Sequence, residues 1–172
     1  MNKSNKSNRT DIAVTGIEWM GSGIGSVQSA IEELMDSAER EIQIVIYSMT
    51  KNTGEFLNNL QSCLARGIHV TMIINRIEKK DKIIHKKLSQ IDQKFPHFNL
   101  LNFQPENKYE DLHAKILVVD RNKALVGSAN LSWSGLIGNH EIALVVPESV
   151  ASKVAKLIDK LSCSHSITRA GT

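Results

Sequence analysis

The sequence predicts an α/β fold in which a mixed β-sheet is flanked by helices on both faces. Three observations carry that expectation. Two apolar, β-branched runs, residues 41–47 (EIQIVIY) and 68–74 (IHVTMII), read as buried strands. Between them Phe56, Leu57, Leu60 and Leu64 recur at helical spacing and Gly67 supplies a stop. Such a strand–helix–strand succession calls for parallel neighbours joined by a right-handed crossover. Later, residues 116–119 and 124–126 flank the polar segment Asp120-Arg121-Asn122-Lys123, which reads as a hairpin and adds antiparallel pairing.

The 172 residues fit one domain, expected over residues 11–162, between a disordered polar tail at 1–10 and a polar tail at 163–172. Residues 12–19 have the β-branched and aromatic character of a short strand. A glycine-rich loop at 21–26 follows, ending in Ser26 as N-cap to a helix marked by Val27, Ala30, Ile31, Leu34 and Ala38. That loop lacks the GKS/T ending of a phosphate-binding P-loop, so a capped loop is the simpler account; a secondary phosphate contact at the helix N-terminus stays open. Ser48, Met49 and Thr50 would lie at the carboxyl edge of the sheet. A third helix carries Ile84, Leu88, Ile91 and Phe95 inward, with Lys79, Lys80, Lys82, Lys86, Lys87 and Lys94 along its outer side, and ends at Pro96. Residues 98–103 form a short strand and 104–111 a polar loop. Residues 131–139 read as a loop or short helix and 141–146 as a last strand. Val150, Val154, Leu157, Ile158 and Leu161 mark a closing helix. No internal repeat is present.

Formal net charge is +3, which alone would not suggest nucleic acid. Its distribution says more: residues 76–94 hold seven basic and three acidic side chains, and the first ten residues add three more cations with no acid. Cys63 and Cys163 stand alone, without metal-ligand spacing, so neither a structural zinc site nor a disulfide framework is expected. No apolar run is long enough to span a bilayer and no secretory signal opens the chain, so we expect a cytoplasmic protein without a membrane partner.

The chemistry concentrates in residues 111–146. His113 and Lys115 are two apart on a strand-like segment, so both side chains leave on one face. After Asp120 and its turn, a second strand runs into Gly127-Ser128-Ala129-Asn130. A neutral histidine can attack phosphorus or move a proton near neutral pH. Lys115 can neutralise a phosphate oxygen as charge builds, with Ser128 and Asn130 donating further hydrogen bonds, and Gly127 permits close backbone approach. Glu141, opening the next strand, can orient the far ring nitrogen of His113 as the carboxylate of a triad does. Each residue has a plainer reading alone. Lone histidines such as His69, His85, His97 and His165 are bystanders, His140 reads as surface or support, and Asp120 reads as a turn residue bonding its own backbone. Only the joint spacing lifts the set above these.

The spacing His113-x-Lys115-x4-Asp120-x6-Gly127-Ser128-x-Asn130 resembles the HKD signature of the phospholipase D superfamily at every defined position. The resemblance implies that His113, Lys115, Ser128, Asn130 and Glu141 are active-site residues and that Asp120 supports them. It also implies a phosphohistidine intermediate formed without metal or other cofactor. Family sites join two motifs and this chain has one, so a homodimer with a single composite site is implied. Small single-motif members resemble bacterial endonucleases and the cleavage domains of restriction or phage-defence systems. Together with the lysine-bearing helix and the lack of a lipid-docking element, that favours nucleic acid, DNA foremost, and partner proteins of such a complex. A phospholipid hydrolase and a non-cleaving nucleic-acid-binding subunit are the alternatives. No base-reading module is visible.

Overall fold

The computed structural model describes residues 9–19, 21, 23–50 and 53–170. Its strands and α-helices follow as β1 (Asp11–Thr15), β2 (Gly25–Ser26), α1 (Val27–Asp36), β3 (Glu41–Ile46), α2 (Gly54–Ala65), β4 (His69–Asn75) and α3 (Lys82–Lys94). Then come β5 (Phe98–Phe103), β6 (Ile116–Val119), β7 (Lys123–Gly127), β8 (Glu141–Val146), α4 (Glu148–Ser162) and β9 (Ile167–Arg169). All strands join one mixed sheet in the order β2-β1-β8-β7-β6-β3-β4-β5-β9. The expected βαβ succession places β3, β4 and β5 side by side and parallel, while β6, β7 and β8 run antiparallel to their neighbours.

Period-two alternation sends the side chains of β3 to two cores. Ile42, Ile44 and Ile46 pack with Leu34 and Met35 of α1, Leu60 and Leu64 of α2, and Ile84 and Leu88 of α3. Val45 points the other way, with Ile73, Val118 and Ala124, against Ala151, Ala155 and Ile158 of α4. Helices therefore cover both faces, as expected, but unequally. The single helix α4 packs on β7, β3 and β6 and leaves Ile12, Val126, Ile142 and Leu144 of the β1–β8–β7 end exposed. Local signals start the helices: Ser26 Oγ accepts the Ser29 amide at 2.9 Å, and an Asp81 carboxylate oxygen accepts the Ile83 amide at 2.8 Å. Gly67, at φ +83°, turns the chain after α2.

Four expectations need revision. The C-terminal tail is part of the fold: β9 pairs antiparallel with β5, Leu101 opposite Arg169, and Ala170 is buried. Three residues, ITR, are too few for an alternation signal, and their order comes from the open edge of β5. The first strand ends at Thr15, because Gly16 at φ +124° takes the chain into a 3₁₀ turn at Ile17–Trp19. The segment after Asn130 contains a π-helical turn, Ser134–Gly138. Of the N-terminal tail, residues 1–8 lie outside the described residues, and Arg9 and Thr10 are exposed.

Candidate active site

β3 and β4 end at the edge where β6 begins, since Val45 lies opposite Ile116 and Ile116 opposite Val126. β7 ends and β8 begins at the same edge, with Gly127 opposite Ala143. Five of the six expected site residues, His113, Lys115, Ser128, Asn130 and Glu141, collect there. A Cβ on Gly127 would stand 2.6 Å from the Ala143 Cβ and 2.7 Å from the Ile142 carbonyl, so the close packing of β8 requires the glycine. His113 and Lys115 lie one step ahead of the regular strand, in an extended segment. Its last residue is tied to β7 by a 3.2 Å bond from the Gly127 amide to the Lys115 carbonyl.

Lys115 is 6% exposed. Its stem lines a small apolar pocket with Ile44, Phe56, Leu117 and Leu125. Burial pushes its pKa down, opposed by the Glu141 carboxylate. The ammonium donates to the His113 carbonyl at 2.7 Å and stands 2.9 Å from Nδ1 and 3.3 Å from Nε2 of the same ring. An ammonium can donate only to a ring nitrogen without a proton, so this contact belongs to neutral imidazole, the form able to attack phosphorus. The ring itself is exposed and leans on Tyr47, centroids 4.5 Å apart and planes at 51°.

Ser128 Oγ donates to the Glu141 carboxylate, which also accepts Asn139 Nδ2 at 3.1 Å. The Ile142 amide in turn donates to Ser128 Oγ at 3.3 Å. Glu141 thus bonds Ser128 and Asn139 within this chain, and the expected bond to His113 is not made among the described residues. Asn130 keeps its Oδ1 buried without a partner. Its backbone is clamped by the π-turn: its carbonyl accepts the Ser132 amide at 2.9 Å, and a Cβ on Gly135 would collide with the Asn130 backbone.

Asp120 is elsewhere. The length of β6 separates it from Lys115, about 16 Å at the rise of a strand. Its two carboxylate oxygens accept the amides of Glu39, Arg40 and Glu41 at 2.9, 2.9 and 2.8 Å. Partial burial raises its pKa and the three amides outweigh it, leaving the group below the usual carboxylate range. The expected turn is present, with Asp120 and Arg121 at φ +50° and +56° and the Asn122 amide closing onto the Val119 carbonyl at 2.9 Å. Asp120 does not bond its own turn, however. It ties the loop between α1 and β3 to the far end of the motif hairpin, so its place among catalytic residues is withdrawn. Arg121 adds ion pairs to Glu41 and Asp159 at 2.5 and 2.6 Å. His140 pairs with Glu18 and meets Trp19 edge-on at 5.2 Å, a supporting position.

Other neighbours were not singled out from the sequence. Asn75 and Arg76, at the end of β4, anchor the loop that delivers His113. Asn75 Nδ2 donates to Asp111 at 2.9 Å and its Oδ1 accepts the Leu112 amide at 3.0 Å. Arg76 donates to the carbonyls of Asn107 and Glu110 at 3.2 and 3.0 Å. The Asn75 bond leads in holding the Asp111 carboxyl below its usual range. Tyr47 and Lys80 also border the site, with the Lys80 ammonium 4.5 Å from the Tyr47 centroid. Position at the carboxyl edge was the available signal for Tyr47 and Asn75. Nothing in the spacing marked Lys80 apart from its lysine neighbours.

Among curated relatives, the chain is 29% identical over 119 residues to the DISARM protein DrmC of Bacillus paralicheniformis. The match takes in 69% of this chain but 48% of that one, so the chain spans about half the length of its relative. Among solved structures it is similar to the phospholipase D family member Nuc from Salmonella typhimurium, with TM-score 0.74, 17% identity, and 95% and 99% of the two chains covered. NucT from Helicobacter pylori gives TM-score 0.72 at 18% identity, covering 94% and 99%. At such identities the likeness establishes the fold. A family profile described as "Cardiolipin synthase, PLD-like domain" matches residues 31–162, most of the chain and all of the motif. The chain therefore belongs to the phospholipase D-like family of phosphodiesterases.

Proposed function

We propose that this chain is a metal-independent endonuclease, acting on DNA through a phosphohistidine intermediate at a site completed by a second copy. The observation that carries the reading is the pairing of an exposed neutral His113 with the buried Lys115 ammonium, beside Ser128 and Asn130. A ring nitrogen of His113 attacks phosphorus, and the bond to the leaving oxygen breaks. The second copy's His113, protonated, gives that oxygen its proton. The same histidine then takes a proton from water, whose oxygen attacks the phosphohistidine and releases the first imidazole. Lys115 and Asn130 meet the charge that develops on the phosphate oxygens.

The need for a second copy follows from the single motif, since one imidazole cannot serve as nucleophile and leaving-group acid at once. Glu141, already bonded to Ser128 within its own protomer, is then available to the histidine that faces it from the other copy. Trp133 and Ile137, 54% and 55% exposed beside Asn130, offer that copy an apolar rim. No described helix is long and apolar enough to cross a membrane, and we place the protein in the cytoplasm. The DISARM relative supports a setting among partner proteins of a defence or restriction complex.

The test is cleavage of plasmid DNA in EDTA by wild type and His113→Ala, run beside phosphatidylcholine and cardiolipin. Cutting that survives EDTA and is lost in the variant supports the reading. Lipid turnover with DNA untouched overturns it in favour of a phospholipid hydrolase. Equal DNA binding by both proteins with no cutting makes the chain a binding subunit. Sedimentation of an active strict monomer would remove the shared site.

A further inference from the structure

We propose that Lys80 binds the phosphate next to the one being cleaved, so that the site is fitted to a strand of phosphodiesters. The inference rests on the endonuclease reading and goes beyond it by naming a second subsite.

Lys80 is held in place. After β4, Arg76 at φ +47° turns the chain into a single 3₁₀ turn, Ile77–Lys79, and the Lys80 amide closes it on the Ile77 carbonyl at 3.0 Å. Ile77 is buried, and its amide donates to Asn102 Oδ1 at 2.9 Å. The Lys80 side chain, half-buried, then lies with its ammonium 4.5 Å from the centroid of Tyr47. That ring also supports His113 and stands 5.3 Å from the Lys115 ammonium. The two ammonium groups are thus no more than about 10 Å apart, within one Debye length at ordinary salt.

Charge counting separates their roles. Lys80 makes no ion pair among the described residues. The nearby acids are engaged, Asp111 by Asn75 and Arg76, and Glu78 by Asn102 Nδ2 at 3.2 Å. A half-buried ammonium without a carboxylate of its own is a site for an incoming anion. The scissile phosphodiester carries one negative charge, which Lys115 already meets, and in a shared site the second copy's Lys115 meets it as well. A third cation has work to do only if a second phosphate is present. Lys79 and Lys82 flank Lys80 and extend the same charge outward along the start of α3.

Two measurements on the full chain test the proposal. In the cleavage-silent His113→Ala background, binding of a DNA duplex is titrated against salt with Lys80 present or replaced. Lys80→Met keeps the apolar stem on Tyr47 and should flatten the slope of log affinity against log salt by about 0.9, the value for one phosphate contact. Lys80→Arg should restore it. In the active protein, Lys80→Met should cost kcat/KM on DNA about tenfold more than on bis-p-nitrophenyl phosphate, which has a single phosphate. An unchanged salt slope, or equal losses on both substrates, overturns the subsite. Wild-type protein that cuts neither substrate would fault the endonuclease reading, and the binding slope would still decide Lys80.

Discussion

Removing the Asp120 carboxylate separates a structural from a chemical role for a residue inside the motif. Three backbone amides, from Glu39, Arg40 and Glu41, converge on its two oxygens. A hydrogen bond to a charged group contributes roughly 1.5–3 kcal/mol. Here the group is partly exposed and the three bonds are not independent, so about 2–3 kcal/mol together is the reasonable sum. Asp120→Ala also puts alanine at φ +50°, adding about 1 kcal/mol. Asp120→Asn keeps one acceptor oxygen and tolerates the left-handed turn, and should cost about half as much. For a chain of this length, 3 kcal/mol corresponds to a Tm lower by about 6–12 °C.

The pH dependence has a definite sign. The folded-state pKa is depressed, so the contribution is complete above the unfolded value of about 3.9 and fades as pH falls below it. The gap between wild type and Asp120→Asn, followed by urea unfolding, should therefore be full at pH 7 and narrow below pH 4. Once folded, either variant should cleave with near wild-type kcat at 15 °C. A variant that keeps the wild-type urea midpoint but loses activity would refute this account and return Asp120 to the chemistry.

Lys115→Met replaces a buried ammonium, disfavoured by its surroundings, with an apolar chain of similar length. Its Tm should match or exceed wild type while phosphodiester cleavage falls at least about a thousandfold; a large drop in Tm would mean the charge stabilises the fold. Gly135→Ala forces a methyl group into the Asn130 backbone and should lower kcat by about 10²-fold with a smaller rise in KM. Unchanged kinetics would show that Asn130 tolerates displacement. Deleting residues 167–172 strips β9 from β5 and should lower Tm and raise aggregation on heating, measured by light scattering. A truncated chain as stable and soluble as wild type would make β9 dispensable.

Much of the site was legible because its chemistry is local in sequence. His113 and Lys115 are two residues apart, and Ser128, Asn130 and Glu141 follow on the next two strands of one meander, so spacing alone specifies their meeting. β3 and β4 were legible for a related reason: strands buried on both faces read as unbroken apolar runs. What escaped depends on contacts distant in the chain. The amides that meet Asp120 lie some 80 residues upstream, and Tyr47 joins His113 only because β3 pairs with β6. Glu141 could not be assigned a partner from spacing, because Ser128 and Asn139 compete for the same oxygens as His113. β9 carried too few residues for any period to register.

The short outer strands have a consequence for how two such molecules can meet. At one margin of the sheet stands β2, two residues long, and at the other β9, three. Neither presents a ladder of unpaired amides and carbonyls long enough for another chain to zip onto, and Arg169 puts a charge on the second. Extending the sheet from one molecule into the next is therefore a poor way to assemble. Association is left to the strand tips and the faces, and the tips are where the histidine waits for its counterpart. A margin that discourages polymers thus favours a closed pair.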